Sequence, residues 1–474
     1  MTNRRMYLLF GAALLAGCVE RGGWKAAPQL QADKLAATQT LQSLPTETAA
    51  WPGAQWWRAY GDPQLDALVE QALAGSPSLT SAEARLRAAQ AQLIGATGAR
   101  LPSISADGEV TRQRYPQNGL FPPPYAGSYV TDARAALDLS WSIDFWGRQR
   151  ALIAGARSTV RGAEADRDAA RLALAVAVVQ AYIQLDLQHR LLEVTQENLR
   201  QQTAILELTQ QRVQAGLENT ARVEQSKGTV ALTRAGVAYV EGSLELAQNQ
   251  LADLVGAGPD RGQSLQRPHL LPPAGLALPS SVPSELLARR PDIIAARAQV
   301  EAAGHNVSAA EADFYPNVNL AAFAGFQSIG LSQLLTASDR IVGGGPAVQL
   351  PIFNRSGLRA ALYTRQSELD QSVGRYNQAL LDAVREVADV VVNWRALERE
   401  SAEQATALDA AERSYQLTSD RYRAGLDNYL SVLSSQGQVL QAQLLRAQLQ
   451  SRRLSFSVDL VRALGGGFGP APLS

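Results

Sequence analysis

The sequence predicts a mixed α/β membrane protein. Each chain lends four long strands to a shared transmembrane β-barrel and then runs on into long helical hairpins. Three observations carry this reading. Alternating apolar and polar stretches are long enough to cross a bilayer, two proline-free runs suit very long helices, and the whole pattern occurs twice.

The bulk composition narrows the function. The chain has 474 residues, 46% of them apolar, with 44 basic residues balanced by 44 acidic ones. The basic residues are scattered, so no electrostatic footprint for nucleic acid exists. Cys18 is the only cysteine, which excludes an intramolecular disulfide and a cysteine-based zinc site. His189, His269 and His305 lie far apart in sequence without ligand-like neighbours, so no metal is expected. There is no Gly-x-Ser-x-Gly and no phosphate-binding Gly-Lys loop; Gly343-Gly344-Gly345 has no following lysine. The reading is that the protein is not an enzyme and uses no cofactor.

The elements follow in chain order. Residues 1–17 read as a signal peptide: Arg4 and Arg5 precede an apolar run from Met6 to Ala16, too short to span as a mature helix. The ending Leu15-Ala16-Gly17-Cys18 resembles the bacterial lipobox, in which the cysteine becomes a lipidated first residue. Val19 after it resembles sorting to the outer membrane of a double-membraned bacterium. Cys18 is thus expected as an anchor, with a covalent lipid, and residues 18–62 as an extended lipid-anchored segment.

Two large repeats come next, over 63–256 and 284–464, joined by a Pro-rich linker at 257–283 and followed by a flexible tail at 465–474. The same offset separates Gly216 from Gly425 and Arg150-Ala151 from Arg359-Ala360. This is a duplication of one large unit rather than a solenoid repeat. Each repeat opens with an Ala-rich helix, about Pro77 to Arg100 and Pro291 to Asp313. Two strands follow. In the clearest, Ala133, Ala135, Leu137, Leu139, Trp141, Ile143 and Phe145 share one face, while Asp132, Arg134, Asp138, Ser140, Ser142 and Asp144 share the other. Ile104, Ala106, Gly108 and Val110 alternate likewise. So do Val318, Leu320, Ala322 and Ala324, and more briefly Val348, Leu350 and Ile352.

After the strands, residues 147–215 and 356–424 contain no proline and little glycine. Leu362, Leu369, Val373, Tyr376, Leu380, Val384, Val387, Val391 and Trp394 keep the three-four spacing of a coiled-coil seam. Each such helix would reach roughly 100 Å. Gly216 and Gly425 close them, since glycine accepts the left-handed conformation that ends a helix. Returning helices follow, about Glu218 to Val255 and Asp427 to Leu464. The repeated phrases from Arg212 and Arg421 therefore mark two hairpin tips.

Edges settle the assembly. Four membrane-length strands cannot close a barrel, and an open sheet edge in lipid is not viable. Several copies must share one barrel; three would supply twelve strands, with their hairpins continuing as a helical tube.

The sequence at this point resembles the TolC-like outer membrane factors, and within them the NodT-like lipoprotein branch. The resemblance covers nearly the whole mature chain. It is carried by "WWRAYGDPQLDALVEQAL" from Trp56, "IDFWGRQRA" from Ile143, "ARRPDIIAARAQVEAA" and "ADFYPNVNL". The resemblance implies a homotrimer in the cell outer membrane, reaching through the periplasm as a helical barrel. It implies the exit duct of a tripartite efflux pump, with a periplasmic adaptor and an inner-membrane transporter of RND type. An exit channel for type I protein secretion is the alternative within this class. A periplasm-spanning structural lipoprotein would explain the coiled coils and the lipid, but not four alternating strands.

The resemblance also places adaptor contact at the tips, on Arg212, Gly216, Leu217, Arg421, Gly425 and Leu426. The plain alternative is that the glycines only cap helices and the arginines only complement helix dipoles. Relatives carry aspartates just past the second tip, ringing a periplasmic aperture. Here those places hold Ser431 and Ser434, and Arg222 replaces the corresponding aspartate of the first repeat. Leu430 shares a helical face with Ser434, and Asp427 and Glu224 lie off it. A mainly apolar gate is expected, the alternative being that Leu430 simply packs between helices.

Overall fold

The computed structural model describes residues 24–35, 51–271 and 289–467. The expected signal peptide, Cys18, and the greater part of the tail expected at 465–474 lie outside these residues, and the linker at 257–283 is described only to Leu271. The main elements are α1 (Pro63–Gly75), α2 (Pro77–Gly98), β1 (Ser103–Arg114), β2 (Tyr129–Ile143), α3 (Arg148–Gln214), α4 (Thr220–Leu254) and α5 (Pro259–Gln263). They continue with α6 (Pro291–Ala312), β3 (Asn317–Ile329), β4 (Arg340–Gln349), α7 (Arg355–Arg423) and α8 (Tyr429–Ala463). The chain divides into two compact units. One holds Met1–Gln29, Arg85–Ala163 and Ala296–Tyr376; the other holds Leu30–Ala84, Glu164–Ala295 and Asn377–Ser474.

The first unit contains the sheet, antiparallel throughout and ordered β1-β2-β3-β4. Residues directly opposite one another across antiparallel strands share a face. Pairing of Ile104 with Leu139, Ala106 with Leu137 and Val110 with Ala133 therefore aligns the apolar sets of β1 and β2. Leu137 then faces Ala324, and Trp141 faces Leu320. Val318 meets Val348, and Ala324 meets Val342. One face of all four strands is thus apolar, yet it is open within the chain: Leu137 is 55% exposed and Val342 84%. Such a face is stable against hydrocarbon and costly against water. The opposite face carries Asp107, Glu109, Asp132, Arg134 and Asp138, with Arg134 Nη2 donating to Asp138 Oδ1 at 2.8 Å. Among the described residues β1 and β4 each keep one unpaired edge.

Two strand ends depart from the sequence reading. Phe145 lies past the end of β2, where Asp144 turns back to accept the Gln149 and Arg150 amides at 3.1 and 2.9 Å and so caps α3. Strand β4 ends at Gln349, before Leu350 and Ile352. Pro351 between them has no N–H to offer a ladder, which overrides the alternation. Along β4, Gly343 lies under the Phe323 ring, and a Cβ there would approach it to 2.6 Å.

The second unit is built on the long helices. Its core joins Trp56, Trp57 and Tyr60 to Leu65, Leu68, Val69 and Ala72 of α1. These pack against Val178, Val179, Tyr182 and Leu185 of α3, Leu251 of α4, and Leu454 and Val458 of α8. The opening motif is explained by its last acid. Asp62 caps α1 through the Gln64 amide at 2.9 Å and accepts the Tyr182 hydroxyl and the His269 amide, both at 2.8 Å. Beside it, Leu271 N–H donates to the Tyr60 carbonyl at 2.9 Å. The Arg-Arg-Pro-Asp motif has a comparable role. Buried Arg290 bridges Asp292 at 2.6 Å, Glu386 at 2.9 Å and the Ala463 carbonyl at 3.1 Å, closing the end of α8. Leu464, Gly465 and Gly466 after it are buried rather than trailing free. In α7, Leu380, Val387, Val391 and Trp394 are buried, as the seam predicts.

Candidate functional site

Each phrase expected at a hairpin tip is a complete helix–turn–helix recipe. At the first, Gly216 has φ 72°, Leu217 N–H reaches the Arg212 carbonyl at 2.8 Å, and Gly216 N–H reaches Val213 at 3.0 Å. That pair of bonds is a Schellman closure, which requires the left-handed glycine. At the second, Gly425 has φ 74°, with Leu426 N–H on the Arg421 carbonyl and Gly425 N–H on Tyr422. The asparagine that ends each phrase starts the returning helix. Asn219 Oδ1 accepts from the Arg222 amide and Asn428 Oδ1 from the Ser431 amide, both at 3.1 Å.

The two arginines differ. Arg212 is largely covered, 15% exposed, with its guanidinium 4.6 Å from the Tyr422 ring centroid and Nη1 donating to the Tyr422 carbonyl at 3.0 Å. Its Nε stands 3.9 Å from Glu218, which also lies 3.9 Å from Arg222. Arg421 is 61% exposed and leans on Asp427 and on the Leu426 carbonyl, each at 3.4 Å. The Asn428 amide, then Ser431 and Arg421, hold the Asp427 carboxyl below its ordinary range. Beneath the tips Ile205, Tyr422, Tyr429 and Val432 form a small buried core. Above it Gln202 Nε2 donates to Gln436 Oε1 at 2.8 Å.

Two side chains have no part in the turns. Leu217 and Leu426 are 66% and 68% exposed at the apices. On the returning helix, Leu430 and Ser434 are exposed on one face, while buried Tyr429 and Val432 mark the other. Ser431 is half-buried, and both its amide and hydroxyl turn back to Asn428. Arg222 is drawn to Gln225 at 3.0 Å as well as toward Glu218. Sequence reasoning missed Tyr422 and the capping asparagines. The caps were legible in principle, as Asn three residues past each glycine; the partner of Arg212 was not.

Comparison with known proteins bears on the family and the fold. The family model described as outer membrane efflux protein matches residues 68–257 and 282–466. The chain is 36% identical over 355 residues to the fusaric acid resistance protein FusA of Burkholderia cepacia, covering 74% of this chain and 66% of that relative. It is 30% identical over 478 residues to the multidrug resistance outer membrane protein MdtP of Shigella flexneri, covering 98% and 96%. The solved outer membrane protein VceC of Vibrio cholerae superposes with a TM-score of 0.83 at 35% identity, covering 88% of this chain and 100% of that one.

Proposed function

This chain belongs to the outer membrane efflux protein family, and we propose that it is the exit duct of a tripartite pump expelling drugs or other toxic small molecules. The family's members are channels, so the task here is conduction rather than catalysis. Closure follows from the sheet. Edges β1 and β4 are open among the described residues of each chain, lipid tolerates no open edge, and three copies joined edge to edge complete a twelve-stranded barrel. The apolar face then meets hydrocarbon and the charged face lines the lumen. Fusaric acid resistance and multidrug resistance in the names of two relatives support small toxic organics as cargo.

We assign adaptor docking to the hairpin tips, and the observation that carries this is the exposure of Leu217 and Leu426. The turn needs the glycine, the acid and the asparagine; it does not need a leucine side chain in water. A periplasmic adaptor offering an apolar notch would cover both, and an inner-membrane transporter of RND type would supply the energy. Cys18 carries the lipid anchor in this reading, and Leu430 narrows the aperture.

The test replaces Leu217 and Leu426 together by glutamate in a strain lacking its own duct. Drug resistance and adaptor cross-linking should both be lost while outer-membrane trimers persist. Unchanged resistance with intact cross-linking would remove the tips from the docking surface.

A further inference from the structure

We propose that Phe323 is a specificity residue inside the barrel, a ring that favours organic cations with an apolar body as cargo. This deepens the reading of the protein as an exit duct and rests on it. The position of Phe323 is set by register. It stands directly opposite Asp138 on β2 and Gly343 on β4, so it shares the charged face of the sheet rather than the apolar one. Among the described strand residues it is the only aromatic side chain on that face. The other large apolar ones, Val130, Ile329 and Ile341, lie nearer the hairpin ends.

The sequence clears room for this ring. Ala321 and Gly325 flank it along β3, Ala136 and Ser140 lie diagonally on β2, and Gly343 and Gly345 lie on β4; of its neighbours on this face only Asp138 and Ile341 are larger. The ring rests over Gly343, where a Cβ would come within 2.6 Å of it. Consecutive glycines weaken a strand, so Gly343-Gly344-Gly345 needs a reason. At Gly343 the reason is the ring, which leaves no space for a side chain. Phe323 itself stays 40% exposed, with part of its surface toward the lumen. In the trimer, symmetry sets three such rings at one level of the barrel.

Charge supplies the second criterion. Asp107, Glu109, Asp132 and Asp138 share this face with a single guanidinium, that of Arg134, which bonds Asp138 at 2.8 Å. By register Asp107 is level with Gly325, about 7 Å beyond Phe323 toward the hairpin end, and Asp132 is level with Ile329, about 20 Å beyond. A cargo leaving the helical end therefore meets the ring and Asp138 first and the other carboxylates after. A field of this sign gathers cations and turns anions away. The face of a ring attracts a cation that sheds its water readily, as a quaternary ammonium with an apolar body does, and a small hydrated ion gains little from it. Field and ring together select what neither selects alone, an amphiphilic organic cation.

The test is block of single-channel current through full-length trimers in planar bilayers, with probes added on the side of the hairpin ends. Benzyltriethylammonium, tetraethylammonium and benzenesulfonate are compared. The benzyl cation should halve the native current at about one-fifth of the tetraethylammonium concentration, and benzenesulfonate should not block. Phe323→Leu keeps an apolar cover over Gly343 but has no π face; detergent-resistant trimers should persist, and the two cations should then block alike. Phe323→Trp should keep the preference. Asp107→Asn should weaken block by both cations together. Aromatic side chains also stabilise edge strands by covering glycines. If that is all the ring does, Phe323→Leu will leave the preference intact, and the specificity role is overturned. Equal block of the native channel by the two cations, or block by benzenesulfonate, overturns it as well. Native trimers that carry no current at all would instead overturn the duct reading beneath it.

Discussion

Arg212 and Tyr422, one at each hairpin tip, are joined twice: the guanidinium lies 4.6 Å from the ring centroid and donates to the carbonyl at 3.0 Å. The duplicated phrase therefore carries two different jobs. Arg212 ties the tips together, whereas Arg421 stands in solvent. Arg212→Ala removes a covered cation–π contact and a charged hydrogen bond, so amide exchange around Tyr422 and Tyr429 should quicken by roughly one to two orders of magnitude. Arg421→Ala should leave exchange within about threefold, as exposed pairs contribute little. If Arg421→Ala loosened the tips as much as Arg212→Ala, this division would be wrong.

Asp62 is a second place where one side chain holds distant segments. It accepts from Gln64, Tyr182 and His269 and is itself buried. An ordinary N-cap replaced by alanine costs about 1 kcal/mol. Asp62→Ala should cost about 3 kcal/mol, because the buried Tyr182 hydroxyl and His269 amide lose an acceptor too. Thermal melting of the wild-type and Asp62→Ala proteins would measure it. A loss no larger than the cap alone would mean that water replaces the carboxylate.

The pattern of what could be read from the residues is physical. Strands β1, β2 and β3 were legible because period-two alternation has to match a face, and the cross-strand register later aligned those faces. The end of β4 was misread because Leu350 and Ile352 keep the alternation while Pro351 removes the hydrogen bond. The left-handed glycines were visible for the same reason that they are required: no other residue adopts φ near 70° as cheaply. The roles of Asp62, Arg290 and Tyr422 were not visible. Their partners lie far along the chain, and no local periodicity records a contact of that separation.

Tyr60 gives the second unit an alkaline limit. Burial above all pushes its hydroxyl from the ordinary 10.0 up to about 12, with the Ser457 bond lowering it and Asp459 raising it again. An unfolded chain gives up this proton near pH 10, and the folded chain keeps it until about 12. Stability from this group is therefore full below pH 10 and declines between 10 and 12, by up to about 1.4 kcal/mol per pH unit. Tyr182 is shifted in the same direction, chiefly by burial, so Tyr60→Phe should flatten the decline without abolishing it. Melting followed from pH 8 to 12 checks this, and an equally steep Tyr60→Phe curve would refute it.

The two sheet faces predict opposite tolerances. Leu137 sits mid-strand on the apolar face, opposite Ala106 and Ala324; Ser140 lies on the polar face, opposite Ser103 and Ala321. Leu137→Arg should cost about 2–4 kcal/mol in hydrocarbon and deplete detergent-resistant trimers. Ser140→Arg should leave trimers intact and reduce cation conductance. Equal loss of trimers from both would contradict the assignment of lumen and lipid faces.

The aperture supplies the last prediction. The proposed duct is closed at rest, and the reading places its narrowing at the start of α8. The polar candidates are engaged elsewhere: Asp427 accepts from the Asn428 amide and Arg421, Glu224 pairs with Lys227, Arg222 leans on Glu218, and Ser431 is turned back to Asn428. Leu430 is left exposed with Ser434 on the same face, and both are free of the core that holds Tyr429 and Val432. Three leucines converging from three copies would exclude water rather than bind ions, and an apolar constriction closes by dewetting. Leu430→Ala should raise single-channel conductance in planar bilayers, because a smaller side chain admits a continuous water column. Calcium and magnesium should block the native channel only weakly, since no acidic ring presents them with oxygen ligands. Leu430→Asp should create such a ring, with block at low divalent concentration and relief by chelator. Strong divalent block of the native channel would mean that carboxylates line the constriction after all. An unchanged conductance in Leu430→Ala would place the constriction on other residues.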